Sequence, residues 1–459
     1  MGEGWGGCHA SRGPAVDEGS REYVLNAAKE HRVKFIRLWF TDILGFLKSV
    51  AITVEQLEEA LEEGVGFDGS SVEGFARIDE SDMIAMPDPT TFQLLPWRPR
   101  EPEAVARMFC DILEPNGRPY QGDPRWVLKR NLKRASDMGY TFYVSPELEF
   151  FYFKGPTPPL EPLDYGGYFD QTPLDVASDL RRDTVLALEK LGIQVEHSHH
   201  EGAPSQHEID LTYTDALTMA DNAMTYRIVV KEVALKHGVY ATFMPKPISG
   251  INGNGMHTHQ SLFRGDRNAL FDPDDRYHLS KVARGYIAGL LRHAPEITLI
   301  TNQWINSYKR LVPGYEAPIY ASWAVVNRAD LVRVPAYKPG KENAIRIEYR
   351  SPDPACNPYL AFSVMLAAGL DGIEKGYEIG PPSSRNVAEM TNEERARLGI
   401  QTLPEDLSEA IKLAEGSALV REALGDHVFT KFIENKKIEW ENYRTQVTSY
   451  ELEKYLSIL

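Results

Sequence analysis

The sequence predicts a mixed α and β chain in two unequal units, a small one ending near Gly117 and a larger one holding the rest. Strand-like runs of β-branched and aromatic residues alternate with helix-period segments over most of the length, and the C-terminal part reads as mostly helical. A 42% hydrophobic and 25% charged composition over 459 residues is that of a globular protein with a large core.

Residues 1–19 read as a flexible Gly-rich tail, because six glycines in the first twenty residues order poorly. Ser20 then caps a short helix to Glu30. Two strands, Lys34–Phe40 and Phe46–Ile52, flank a turn around Asp42–Gly45. Thr53 with Gln56 three residues on has the form of a capping box, and Gly64 is a suitable helix stop. A Pro-rich stretch leads to a strand over Val105–Ile112. Asp123-Pro124 reads as N-cap and first-turn proline of a helix that runs to Gly139. Strands at Tyr140–Phe153, Ile193–Glu201, Glu208–Tyr213, Val239–Met244 and Met256–Leu262 alternate with helices near Ser178–Leu191 and before Gly238. The expected organisation is therefore a tail (1–19), an N-terminal domain (20–118) and a larger domain (119–459).

Composition excludes several classes of function. With 66 acidic and 50 basic side chains the net charge is −16, and a pI near 5.3 argues against a nucleic-acid binder, which needs a basic face. The longest uncharged stretch, Pro354–Leu370, is too short and too polar for a membrane helix and reads as a buried one. The N-terminus has no apolar secretory region, and Cys8, Cys110 and Cys356 are odd in number and far apart. A soluble, cytoplasmic protein with reduced thiols is expected.

Four segments carry candidate chemistry. In SPELEFFYF, Glu147 and Glu149 stand two apart on a strand and so point to the same face. Taken alone, this is also what an exposed strand with acidic decoration looks like. In VEHSHHEGAPSQHEIDL, Glu196, His197, His199, His200, Glu201, His207 and Glu208 crowd within thirteen positions, with Glu201 on the face of His197 and His199. In SGINGNGMHTHQS, His257 and His259 share a strand face after a Gly/Asn loop that is neither a dinucleotide fingerprint nor a P-loop. Between Lys309 and Arg350, eight Lys/Arg face four acids, a local excess opposite in sign to the whole chain. Within it, Arg346, Glu348 and Arg350 alternate on one strand face. Guanidinium forks suit phosphates and carboxylates.

Two carboxylates at 4 Å repel by roughly 4 kcal/mol at an effective dielectric near 20. Several glutamates around one cavity therefore protonate or take up divalent cations. Oxygen donors with an occasional imidazole suit Mg²⁺ or Mn²⁺. Metal-bridged carboxylates beside an arginine wall are the expected apparatus for phosphoryl transfer from a nucleotide.

The motifs FDGSS (67–71), PELEFF (146–151), HHE…HE (199–208), NGNGMHTH (252–259), RLVPGYEAP (310–318), NR (327–328) and RIEYRSPDP (346–354), in that order, resemble those of a bacterial type I glutamine synthetase. The resemblance spans nearly the whole chain from about residue 20. It implies an α+β fold: a small N-terminal β-grasp domain, and a large catalytic domain with a curved antiparallel sheet flanked by helices. It also implies two Mg²⁺ or Mn²⁺ ions per subunit, one held by Glu149, Glu201 and Glu208 and the other by Glu147, His257 and Glu348. ATP as co-substrate would meet Glu196, His259, Ser261, Arg333 and Arg346. L-glutamate would meet Asn252, Gly253, Arg310 and Arg350, and Arg328 the transferring phosphoryl group.

The implied reaction is ATP-dependent ligation of ammonia to the γ-carboxylate of glutamate through a γ-glutamyl phosphate. Asp68, from a neighbouring subunit, would deprotonate ammonium, and Glu316 would close over the site. A dodecamer of two hexameric rings follows, with the C-terminal helix from about Ser449 reaching across rings. The alternative activity is that of a related γ-glutamyl ligase using an organic amine such as a polyamine or ethanolamine. Many members have Asp-Asn-Gly where this chain has Ile251-Asn252-Gly253. The stretch Asn386–Met390 replaces a segment that carries an adenylylated Tyr in some members, and no Tyr lies between 378 and 442. Arg77 stands where a shorter subclass has an arginine linked to feedback inhibition.

Overall fold

The computed structural model describes residues 18–74, 82–98, 103–325 and 327–459. Residues 1–17, with Cys8, and Arg77 lie outside the described residues. The chain divides into two compact units after Trp126.

In the first unit, α1 (Glu18–Glu30) begins two residues before the expected cap, so Ser20 lies inside the helix, which buries Val24, Ala27 and Ala28. Strands β1 (Val33–Thr41) and β2 (Leu47–Thr53) form the expected antiparallel hairpin. Its turn is organised by Asp42, whose Oδ1 accepts from the Leu44 and Phe46 amides at 3.0 and 2.9 Å. The capping box expected at Thr53 does not form: a 3-10 turn over Val54–Gln56 precedes α2 (Leu57–Glu63), and the Thr53 side chain caps nothing. Gly64 does end α2, with a φ of 75° that a side chain would strain.

Strands β3 (Val65–Asp68), β4 (Asp82–Pro87), β5 (Gln93–Leu94) and β6 (Ala104–Leu113) complete a sheet ordered β2-β1-β6-β4-β3, with β5 on β6. Among the described residues, only β1 and β6 run parallel. Ile36, Leu38, Ala106, Met108 and Cys110 are fully buried in its core.

The helix α3 (Pro124–Asp137) starts at the expected proline, and the Asp123 carboxylate accepts from the Arg125 amide at 3.0 Å. Next come β7 (Thr141–Phe153), α4 (Ser178–Lys190), β8 (Val195–His200), β9 (Gln206–Leu211), β10 (Thr214–Asp215), α5 (Ala216–Lys236), β11 (Tyr240–Thr242), β12 (Met256–Arg264) and β13 (Arg267–Asn268). After α6 (Lys281–Thr301) and α7 (Ser307–Arg310) come β14 (Trp323–Ala324), β15 (Val332–Arg333) and β16 (Ile347–Tyr349). The sheet order is β14-β15-β16-β12-β7-β9-β8, with β10 and β11 on β7 and β13 on β12. Among the described residues its pairings are antiparallel except β14 with β15. The C-terminal part is helical: α8 (Pro358–Glu374), α9 (Asn392–Arg397), α10 (Leu407–Glu415), α11 (Ala418–Leu424), α12 (Asp426–Arg444) and α13 (Ser449–Tyr455).

Alternation along β7 sends its two faces to different places. Leu148, Phe150 and Tyr152 face the helices: the Phe150 ring meets Tyr226 of α5 edge-on, and the Tyr226 hydroxyl donates to the Leu148 carbonyl at 3.0 Å. Glu147 and Glu149 point the other way. Behind the sheet, α8 is buried from Pro358 to Gly372, as the uncharged run predicts. It packs on α6 through small residues: a Cβ on Gly289 would stand 2.0 Å from the Ala368 carbonyl oxygen, and one on Gly372 2.1 Å from that of Gly285.

Gly289→Ala therefore forces backbone apart. It is expected to cost about 1–3 kcal/mol, read as a lower thermal midpoint, whereas Gly117→Ala, with open space around its Cβ, shows only the strain of its positive φ.

Candidate active site

Strand register assembles the site. Across β7, Glu147 stands opposite His257 on β12 and Asp210 on β9, while Glu149 stands opposite Glu208. On β8, His199 faces Glu208 and His197 faces Asp210. On the other side, Glu348 of β16 is paired with His259 of β12 and Arg333 of β15. Directly opposite residues in antiparallel strands point to the same face. Five strands thus send their acids and imidazoles into one cavity of about 1480 Å³.

Most of the expected residues line it: Glu147, Glu149, Glu201, Glu208, Asn252, Gly253, His257, Arg310, Glu316, Arg328, Arg333, Glu348 and Arg350. Glu149 is only 8% exposed, so a decorated surface strand is the wrong description of that segment. His259 stands behind the wall, its Nε2 2.7 Å from Glu147 Oε1, and Arg346 Nε donates to its Nδ1 at 3.1 Å. The Ser261 hydroxyl donates to the Ile345 carbonyl at 3.0 Å. Glu196 is exposed, at an irregularity of the β8–β9 ladder. Asp68 belongs to the first unit, where its Oδ1 accepts from the Ser70 amide at 2.8 Å.

Two carboxylate groups differ in charge state. In one, burial raises the Glu149 pKa to about 8, reinforced by the Glu201 charge and opposed by Arg310. Burial likewise lifts Glu201 to about 7, with Glu316 and Asp210 adding to it. Burial and Asp210 push Glu208 well above the carboxylate range. Asp210 rises to about 6. In the other group burial acts in the same direction but loses. His259 and His257 hold Glu147 well below the usual range, and His259, Arg350 and His257 lower Glu348. Glu348 also bridges Arg333 and Arg350.

The donor atoms of His199, Glu201 and Glu208 converge, as do those of Glu147, His259 and Glu348, each set within 4.8 Å. Each set shares two residues with an expected ion site, with His199 in the place of Glu149 and His259 in the place of His257. Oxygens with single imidazoles, and carboxylates crowded until they hold protons, are a donor set fit for hard divalent cations.

A third set, Asp164, His200 and His207, has another role. His200 Nδ1 lies 2.7 Å from the Glu201 carbonyl and Nε2 2.9 Å from Asp164 Oδ1. Both neighbours accept, so both nitrogens donate and the ring is an imidazolium. Its pKa is raised, Asp164 outweighing the opposing effect of burial. Arg181, ion-paired with Asp175 at 2.6 Å, abuts His207 Nδ1 at 2.9 Å. Two cations already occupy this knot, which holds the turn bearing Glu201.

Asp210, Gln206, Arg181 and Tyr168 also line the cavity and were not singled out from sequence. Gln206 donates to Glu149 Oε2 at 2.8 Å. Asp210 was the most accessible omission, two residues past Glu208 on the same strand face.

Because Glu149 and Glu201 carry pKa values of about 8 and 7, binding of Mg²⁺ or Mn²⁺ at pH 7 is expected to release protons. Calorimetric titration in buffers of different ionisation enthalpy checks this, and affinity should strengthen from pH 6 to 8. The sign for stability follows from the same groups: the folded state binds more protons than the unfolded one. Their contribution in metal-free protein therefore falls as pH rises from about 4.5 to 8, and added Mn²⁺ reverses that fall in melting curves.

The glutamine synthetase catalytic-domain model matches residues 121–455 and the glutamine synthetase β-grasp model residues 32–115. Proteins named glutamine synthetase from Mycolicibacterium smegmatis, Methanosarcina mazei and Thermotoga maritima are 59%, 54% and 51% identical. These alignments cover 95%, 96% and 95% of this chain and 99%, 98% and 99% of the relatives. Among solved structures, a GmaS/ADP complex superposes with a TM-score of 0.86 at 32% identity, covering 95% of this chain and 99% of the other, and apo GmaS with 0.84. With both domains matched and identity above one half over nearly the full length, the chain, an α+β protein, belongs to the glutamine synthetase family of ligases.

Proposed function

We propose that the protein joins ammonia to the γ-carboxylate of L-glutamate with ATP, giving L-glutamine, ADP and phosphate through a γ-glutamyl phosphate. The observation that carries this reading is the cavity itself: two carboxylate groups of unlike charge state, faced by Arg310, Arg328, Arg333 and Arg350.

Two Mg²⁺ or Mn²⁺ ions, held by Glu149, Glu201 and Glu208 and by Glu147, His257 and Glu348, would supply positive charge against the phosphates and glutamate. The chain's own groups do the rest. Arg328 and Arg333 balance the charge of the transferring phosphoryl group. Asn252, Gly253, Arg310 and Arg350 orient glutamate, while Glu196, His259, Ser261 and Arg346 serve the nucleotide, His259 and Arg346 through their hydrogen bond. Glu201 and Glu316, close enough for one to raise the pKa of the other, make an anionic pocket that concentrates ammonium. Asp68 from a neighbouring subunit takes its proton, since the cation is no nucleophile. Glu316 and the segment around it exclude water, which would hydrolyse the acyl phosphate.

This division of labour needs an oligomer, and a cytoplasmic dodecamer of two hexameric rings is the proposed state. Exposed Tyr450, Leu456, Ile458 and Leu459 at the C-terminus suit burial against another subunit. No described helix is long and apolar enough to cross a membrane.

A second reading, ligation of an organic amine, is favoured by the likeness to GmaS, a γ-glutamylmethylamide synthetase. Identity favours ammonia: 59% to a glutamine synthetase against 32% to GmaS. Phosphate release with ATP, glutamate and Mg²⁺ is expected with ammonium, with glutamine as product, and not with methylamine, ethanolamine or putrescine. Release with the organic amines alone would transfer the protein to the second reading. Asp68→Ala is expected to lower kcat/KM for ammonium by about 10²-fold or more, the size of a lost proton acceptor, while nucleotide binding by equilibrium dialysis is unchanged.

A further inference from the structure

Lys246 is a buried ammonium that the chemistry above does not use. It is 8% exposed and stands behind the cavity wall formed by Asn252, Gly253 and Tyr315. Its backbone is locked on both sides by Asn306, whose Oδ1 accepts from the Lys246 amide at 2.7 Å and whose Nδ2 donates to the Lys246 carbonyl at 3.0 Å. Its Nζ donates to the Ile251 carbonyl and lies 3.7 Å from the centre of the Tyr315 ring.

Two separate segments of the cavity wall thus meet on one cation. The first is the 251–253 loop. Its Ile251 side chain packs against a cluster of Phe151, Phe153 and Ala203. Its Gly253 is nested so closely that a Cβ there would stand 2.2 Å from the Pro245 carbonyl oxygen and 3.2 Å from Lys246 Cδ. The second is the 313–317 segment, where Tyr315 immediately precedes Glu316 and its carbonyl accepts from the Ala317 amide at 2.7 Å. An ammonium over a ring face attracts most strongly where water is excluded. Burial and Arg310 both lower the pKa of Lys246, as expected of an ammonium withdrawn from water.

We propose that Lys246 is a positioning residue that ties the 251–253 loop to the Tyr315–Glu316 segment, so that the two walls stay joined and water is kept from the acyl phosphate. The inference rests on the ligase reading above. Its consequence is a defined side reaction. When the walls part, a water oxygen attacks the γ-carbonyl carbon, the bond to the phosphate oxygen breaks, and glutamate and inorganic phosphate leave in place of the amide. ATP is then consumed without product.

The test measures phosphate and glutamine together in wild type and K246M, with ATP, glutamate, Mg²⁺ and ammonium. In K246M the phosphate released per amide formed should rise by about 30-fold, the scale of one desolvated cation–π contact, with a raised KM for glutamate. K246R, which keeps a cation over the ring, should hold the ratio near that of wild type. Should K246M fail to fold, Tyr315→Leu tests the same contact from the other side and should show the same excess. A stoichiometric ratio in folded K246M, or an equal excess in K246R, overturns the proposal. Wild-type protein that forms no γ-glutamyl amide with any amine overturns instead the ligase reading on which it rests.

Discussion

The constraint on which the large unit depends is the gathering of like charge on one buried sheet face. Glu147 stands opposite Asp210 and Glu149 opposite Glu208 in direct cross-strand register, with Glu348 one strand beyond β12, and carboxylates so crowded repel by several kcal/mol once water is withdrawn. The cluster is tolerated because it is divided. One group, in contact with His257 and His259 and ion-paired with Arg333 and Arg350, stays ionised. The other keeps protons until a cation replaces them. That division gives the cavity two ends with different chemistry.

The surrounding architecture serves to hold this face still. β7 is both the spine of the acidic face and, through Leu148, Phe150 and Tyr152, the anchor of the helical layer, so it cannot slip by one residue without exchanging glutamates for aromatics. Glycines 285, 289 and 372 let α6 and α8 approach to backbone distance. The His200 imidazolium, gripped by Asp164, donates to the carbonyl of Glu201 and so fixes the turn that carries a carboxylate into the cavity. Lys246 acts likewise on the opposite wall.

Much of this was legible in the chain. Alternation alone placed Glu147 with Glu149, His257 with His259, and Glu348 with Arg350, because a period of two survives any tertiary arrangement. The uncharged run before Leu370 correctly read as a buried helix. The misreadings were local competitions. Thr53 and Gln56 matched a capping box, yet a 3-10 turn intervened. Ser20 had the chemistry of a cap, yet α1 began earlier. Asp164, Asp175 and Arg181 escaped notice because nothing near each of them in sequence marks it; their partners come from other segments.

The sequence by itself determined which side chains share a strand face, where several of the longer helices and strands before Leu262 lie, and, through seven motifs in order, the family. These are properties of adjacent residues and of a linear pattern. Only the tertiary structure decided which strands lie side by side, and therefore that Glu348 meets His259 and Arg333 while Glu149 meets Glu208. It alone decided which carboxylates are ionised, because burial and the distance to the next charge set that balance. It also brought Lys246 onto a ring sixty-nine residues away, a contact for which the chain carries no local signal.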